Sequence, residues 1–389
     1  MPLNSVSLPP ELYLLVLSYL PEIDVRSFSL CSKACRDLTI PYLFRSLKLC
    51  EASLAAFQAG GSFHSLRFKV RHVTFRSLGF SDVLKTISLA RQYCENLYLF
   101  PELIGLRIQF LAIIELRSLL PIMILRMIST CAFYKNIKSL SLECTRLPRS
   151  DWIPPSSDTT PIWSRKDGGL ITQAMGLTLE ELQSTKLSYP PALEHAVLQD
   201  VVYFDFQKDS KGLDNPYLFF TLSSSTLKTL KITAPGIALH LRPASPQRPV
   251  FPNVEDLVIR LETGFGEWHL ADLATGFPNL QTFKIDTSHS TDITWDVYAG
   301  EWKFKKLKRA RLVWPVHVWI PSYDKRVDLE NLGQMVRNWT SSELQEVEFV
   351  KRKKSYIGTV YDGCRFERIG EGCWEGESYE GQSSDLGYD

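Results

Sequence analysis

Three sets of charged residues recur at one place in a repeating pattern. Lys228 with Lys231, Glu255 with Asp256, and Lys308 with Arg309 and Arg311 fill the positions between apolar anchors spaced apolar-x-x-apolar-x-apolar. In a strand, residues between inward anchors face the other way. Their chemistry would be ionic recognition rather than bond-making. Strand by strand, the intervening charges run +2 at Lys228 and Lys231, −2 at Glu255 and Asp256, +1 at Lys284, +3 at Lys308, Arg309 and Arg311, and −2 at Glu346 and Glu348. Neighbouring strands lie about 4.8 Å apart, so bands of opposite sign can neutralise one another through cross-strand pairs. Alternatively, the +3 band reads an acidic or phosphorylated segment of a partner. The sequence leaves both readings open.

Groupings that would support catalysis are missing. There is no G-x-S-x-G elbow, no phosphate loop, no G-x-G-x-x-G after a strand and no H-E-x-x-H. The seven histidines are dispersed; only His64 and His72 come close, without carboxylates at metal-ligand spacing. The eight cysteines have no C-x2-C pairing and read as reduced, small hydrophobes. The expectation is a chain that is not an enzyme and needs no metal or cofactor. Asn338-Trp339-Thr340 matches a glycosylation sequon, read as accidental without secretion. Lys351-Arg352-Lys353-Lys354 is either a nuclear-import signal or a solvated run.

Composition bounds the rest. In 389 residues, 44 Lys plus Arg stand against 43 Asp plus Glu, a near-neutral field without the broad attraction that non-specific nucleic-acid binding needs. The start Met-Pro-Leu-Asn lacks the basic region of a secretory signal, which predicts a cytoplasmic and/or nuclear protein. The most apolar region, Leu103 to Tyr134, is broken by Arg107, Glu115, Arg117 and Arg126 and falls short of the ~20 apolar residues of a membrane span. It reads as buried helix.

The elements that carry function begin at the N-terminus. Pro10 and Glu11 suit a first helical turn, and Leu12, Leu15, Val16, Tyr19 and Leu20 form one apolar face that ends at Pro21. Asp24 can cap a second helix through Val25, Phe28, Cys31, Cys35 and Leu38, and a third short turn starts at Pro41. Three helices in about forty residues leave apolar surface uncovered. The residues Leu8-Pro9-x-Glu11-Leu12, Tyr19-Leu20-Pro21, Asp24, Ser29-Leu30-Cys31, Arg36 and Pro41-x-Leu43-Phe44-Arg45 resemble the F-box, including its fungal form, over residues 5–47. Cys35 and Phe44 stand where that family often carries Trp, and both keep an apolar group.

The resemblance implies a substrate receptor of an SCF-type cullin–RING ubiquitin ligase, bound to a Skp-family adaptor. Carried onto this sequence, the adaptor contacts would be Leu8, Pro9, Leu12, Val16, Leu20, Pro21, Leu30, Cys31, Leu43 and Phe44. The alternative is a non-ligase interaction protein whose helices cap the following domain.

That domain repeats. The apolar triplet occurs at Val70/Val73/Phe75, Cys94/Leu97/Leu99, Ile137/Leu140/Leu142, Leu227/Leu230/Ile232, Val254/Leu257/Ile259, Leu280/Phe283/Ile285, Leu307/Ala310/Leu312 and Leu344/Val347/Phe349, with Leu198/Val201/Tyr203 as a further candidate. Successive first anchors at 227, 254, 280 and 307 give 27, 26 and 27 residues, a leucine-rich-repeat period. The usual Asn or Cys after the last anchor is replaced by Pro235, Glu262, Ser288 and Pro315. The expected fold is therefore α/β: a short all-helical F-box at 5–47, then an irregular leucine-rich-repeat solenoid with parallel strands at 48–355. An unrelated α/β fold is the alternative. Segments 145–168 and 234–252 read as long loops, and residues 356–389 as a C-terminal segment with a mobile acidic tail after about 370.

Overall fold

The structure, a computed structural model, describes residues 9–78, 83–111, 116–145, 168–176, 189–199, 222–234, 250–261, 265–268, 270–287, 292–295, 304–313, 317–320, 323–326, 332, 336, 343–355, 358–370 and 373–382. Three helices open the chain: α1 (Pro10–Tyr19), α2 (Glu22–Ser29) and α3 (Lys33–Leu43). Leu20 takes the extended conformation that the ring of a following proline favours, and so ends α1 before Pro21. Glu22 and Asp24 favour the positive end of α2, and Glu22 pairs with Arg26 one turn on.

The second and third helices divide differently from the sequence expectation. Ser32 caps α3 by accepting a 3.0 Å bond from the Cys35 N–H, so Cys35 and Leu38 belong to α3 rather than to a continued α2. Pro41 lies within α3 instead of starting a separate turn.

After α3 come β1 (Ser46–Leu49), α4 (Glu51–Phe57), a 3-10 turn His64–Lys69, β2 (His72–Leu78), α5 (Val83–Asn96), β3 (Gly105–Leu111), α6 (Leu116–Ser129), β4 (Ser139–Thr145), α7 (Gly168–Met175), β5 (His195–Gln199) and β6 (Thr229–Ala234). Then follow β7 (Asp256–Leu261), β8 (Phe265–Trp268), α8 (Leu270–Gly276), β9 (Thr282–Thr287), β10 (Asp292–Trp295), β11 (Arg309–Val313), β12 (His317–Ile320), β13 (Tyr323–Arg326), β14 (Glu346–Ser355), β15 (Gly358–Gly370) and β16 (Cys373–Gln382). Among the described residues, twelve strands form one sheet in the order β1-β2-β3-β4-β5-β6-β7-β9-β11-β14-β15-β16, parallel up to β14 and antiparallel in the last two pairings. The strands β13-β12-β10-β8 make a second, four-stranded sheet.

The main sheet is held in one register. Leu47, Val73, Leu106, Leu140, Ala196, Leu230, Leu257, Phe283, Ala310, Val347, Phe366 and Gly376 stand side by side, one from each strand. From Val73 to Phe366 all are buried. Because the side-chain period of a strand is two, slipping one residue anywhere would expose this row, which fixes the register throughout.

Between successive parallel strands of the main sheet one carbonyl accepts from two successive N–H groups at the next strand's entry: Lys138 O from Glu194 and His195, Glu194 O from Lys228 and Thr229, Gln281 O from Lys308 and Arg309. Asparagines tie successive turns together. Asn253 Nδ2 donates to Ser225 O at 2.5 Å and Asn279 Nδ2 to Pro252 O at 2.7 Å.

Three expectations are corrected. The triplet Cys94/Leu97/Leu99 is buried but lies at the end of α5 and in the 3-10 turn Leu97–Leu99; the strand anchors there are Leu103, Leu106 and Ile108. An i, i+3 spacing fits a helix as well as a strand entry. Leu103 to Tyr134 is not one helix but β3 followed by α6, since a continuous apolar run does not distinguish the two. The supposed mobile tail after 370 is in large part β16, paired with β15 over residues 373–382. Its polarity reflects an edge strand: over residues 373–378 the side chains are exposed except Trp374, which is half-buried. At the candidate triplet Leu198/Val201/Tyr203, Leu198 is the last anchor of β5, after Leu193 and Ala196; Val201 and Tyr203 lie outside the described residues, as do 146–167 and 235–249 of the expected loops.

Candidate functional site

Two surfaces bring together the residues singled out in the sequence. The first is the outer face of the three helices. Inside, Leu17, Val25 and Thr39 are buried, and Tyr42 Oη donates to Leu14 O at 2.5 Å, tying α3 to α1. The apolar face of α1 read from the sequence points the other way: Leu12, Leu15, Val16, Tyr19 and Leu20 are all exposed, Tyr19 at 81%. Ile23 of α2 and Leu30 after it are exposed as well, at 72% and 77%.

Of the predicted adaptor contacts, Pro9, Leu12, Val16, Leu20, Pro21, Leu30 and Cys31 are exposed, Leu43 and Phe44 are half-buried, and Leu8 lies outside the described residues. Phe44 has a second role. Its ring lies 5.5 Å from Phe63, which with Phe57 and Phe100 forms an aromatic chain into the sheet's core. Sequence reasoning passed over Ile23, although its place in α2 beside the buried Val25 was legible once the helix boundary was known.

A model of the F-box domain matches residues 6–40. The N-terminal helices contain an F-box domain. Such domains bind Skp-family adaptors in cullin–RING ligases, and proteins that carry them generally serve as substrate receptors of SCF ubiquitin ligases rather than as enzymes. A search of curated proteins returns no match to this chain.

The second surface is the outward face of the main sheet, where rows of side chains cross the strands. The row Thr229, Asp256, Thr282, Arg309, Glu346, Glu367 and Glu375 runs beside the row Lys231, Val258, Lys284, Arg311, Glu348, Arg365 and Glu377. Here the neutralising reading of the charge bands takes shape. Arg311 Nε lies 3.1 Å from Glu348 and Arg309 Nε 3.6 Å from Glu346, and Arg365 Nε lies 3.2 Å from the other Glu346 oxygen. Arg311 and Glu348 are themselves largely enclosed, with side chains 15% and 12% exposed. Arg311 is thus a ladder residue more than a free cation.

Among the remaining predicted partner contacts, Lys231, Glu255, Asp256, Lys308 and Arg309 are exposed. Lys308 Nζ donates to Gln281 Oε1 at 3.1 Å and lines an open cleft of about 600 Å³ with Gln345, Arg368 and Ile369. Lys228 is held at 2.6 Å by Glu194, which Lys138 grips from the other side at 2.8 Å. Hydrogen bonds from both lysines hold the Glu194 carboxyl down at about 2.

A second polar knot was not read from the sequence. Glu143 accepts from Arg107 through both oxygens, at 2.8 and 2.7 Å, from Gln109 at 2.9 Å and from Ser141. Burial pushes this carboxyl up, but the three donors outweigh it and hold Glu143 below the ordinary carboxylate range. Among the described residues, no group of three or more His, Cys, Asp or Glu is placed to hold a metal, and no helix is long and apolar enough to cross a membrane.

Proposed function

We propose that this chain is the substrate-recognition subunit of an SCF-type cullin–RING ubiquitin ligase, acting in the cytoplasm and/or nucleus. Its helices bind a Skp-family adaptor through Leu8, Pro9, Leu12, Val16, Leu20, Pro21, Leu30, Cys31, Leu43 and Phe44, and a leucine-rich-repeat-like solenoid holds a protein target. The observation that carries this reading is the uncovered apolar face of α1 and α2 on the unit that matches the F-box model. Each such side chain, if fully buried, contributes about 1.5–3 kcal/mol. A protein partner is the natural cover for this many exposed apolar side chains on one small unit.

The near-constant spacing of the anchors and the in-register parallel strands support the repeat reading. The reaction would be accelerated by positioning, since tethering raises the effective concentration of target lysines near the conjugating enzyme. Target contacts are proposed at Lys228, Lys231, Glu255, Asp256, Lys308 and Arg309, with Arg311 supporting the ladder.

A cap on the solenoid is the competing role for the helices, and it would bury the face that α1 leaves open. Leu12→Asp together with Leu20→Asp tests the choice. Two carboxylates forced into an apolar interface abolish adaptor capture while leaving the exposed positions compatible with folding; retained capture would place the contact elsewhere.

A further inference from the structure

The main sheet ends at β16. β15 pairs with one edge of it, and among the described residues no strand pairs with the other. Among the described residues, the outward backbone N–H and C=O groups along Cys373–Gln382 thus face no partner strand. The strand is fixed from within. Gly376 stands opposite Phe366, and a Cβ added at Gly376 would meet the Phe366 ring at 2.6 Å. Phe366 is 4% exposed and meets Phe349 edge-on at 6.2 Å; Trp374, on the same side as Gly376, packs half-buried against the core. An aromatic ring laid over a cross-strand glycine pins a register. The edge is thus a formed strand and needs no ordering to accept a neighbour.

Its other face is acidic. Glu375 and Glu377 are exposed, and Glu367, directly opposite Glu375 on β15, is 60% exposed. Like charges directly opposite in a ladder repel. Arg365, opposite Glu377, is engaged by Glu346 and Glu367. We propose that the outer edge of β16 takes up, by strand addition, an extended segment of a partner protein with Lys or Arg at alternate positions. The backbone supplies the pairing, and alternation puts the cations on the face that carries Glu375 and Glu377. A second copy of this chain is a poor occupant, because antiparallel pairing of two β16 edges would bring their glutamates together. The inference rests on the sheet edge and is independent of the F-box reading; β1, next to the helices, stands at the other end of the strand order.

Fluorescence anisotropy with the full chain tests it, using a labelled alternating Lys-Val peptide of about ten residues. Saturable binding is expected, weakened at least about tenfold when every peptide amide is N-methylated, which keeps the charge and removes the backbone donors. Glu375→Lys with Glu377→Lys should transfer preference to an alternating Glu-Val peptide. Equal binding of the methylated peptide, no binding of the Lys-Val peptide, or unchanged preference in the double variant would each overturn the proposal. So would a dimer of the chain, seen by size-exclusion chromatography, that excludes the peptide.

Discussion

At the scale of single residues, the carboxylates Glu143 and Glu194 do structural work that their neighbours in sequence do not announce. Glu194 lies beyond the Pro-rich stretch that ends at Pro191, yet it binds lysines 56 residues before it and 34 after it. Its folded carboxyl sits at about 2, below the ordinary 4.5, so its contribution is complete above the ordinary value and is lost as pH falls toward 2. Both lysines are about half-exposed, which limits the effect to under about 1 kcal/mol. Glu194→Gln should therefore flatten the fall in melting temperature between pH 4.5 and 2 without changing it at pH 7 by more than this small amount. Glu143 is more enclosed, at 13% exposure, and gathers three donors. Glu143→Ala should cost about 1.5–3 kcal/mol in denaturant unfolding, because it strips charge-assisted bonds from Arg107, Gln109 and Ser141 together. Gly105 illustrates another hidden constraint: a Cβ there would collide with the imidazole of His72 on the adjacent strand, a reason for a strand glycine that only the pairing reveals.

At the scale of elements, what the sequence made legible depended on period and caps. The apolar face of α1 is readable from i, i+3, i+4 spacing, but the spacing cannot say that this face is open and that Leu17 turns inward. Hydrophobic periodicity normally marks the buried side, so only the match to a partner-binding domain, or the structure itself, inverts the inference. The boundary between α2 and α3 is hidden in the sequence because Cys31 and Cys35 continue the apolar period while Ser32, the actual cap, looks like an ordinary polar residue. Ser32→Ala should destabilise the helical unit by about 1 kcal/mol, measurable in the thermal unfolding of the chain. The strand β16 reads as a tail in the sequence because its inward side carries Trp374, Gly376 and Ser378 rather than a run of apolar residues, so the alternation of a half-buried strand is missing. Gly376→Val should disrupt it, since the new side chain and the Phe366 ring cannot share the same space. Hydrogen exchange at Glu375 and Glu377 would then rise while exchange in β6 and β7 stays slow.

At the scale of the whole molecule, the register row is the strongest consequence of the sequence. Eight anchor triplets were named from spacing, and seven fall at strands in register, because burial at positions one, four and six of each unit tolerates little else. The misplaced one fell where α5 happens to share the spacing. Less legible were the cross-strand ion pairs. Opposite bands are visible in the sequence, but whether Arg309 and Arg311 face Glu346 and Glu348 depends on which strands are adjacent and in what register. Truncating one anchor at the middle of the sheet, Leu230→Ala, should cost about 2–5 kcal/mol, read from denaturant unfolding.

The exposed helical face next to β1 is the proposed adaptor-binding site. It is tested most directly by co-expressing the chain with a Skp-family adaptor and examining the product by size-exclusion chromatography with light scattering. The account predicts a one-to-one complex that also captures the cullin and that Leu12→Asp with Leu20→Asp abolishes. A soluble, monodisperse chain that elutes apart from the adaptor would contradict it.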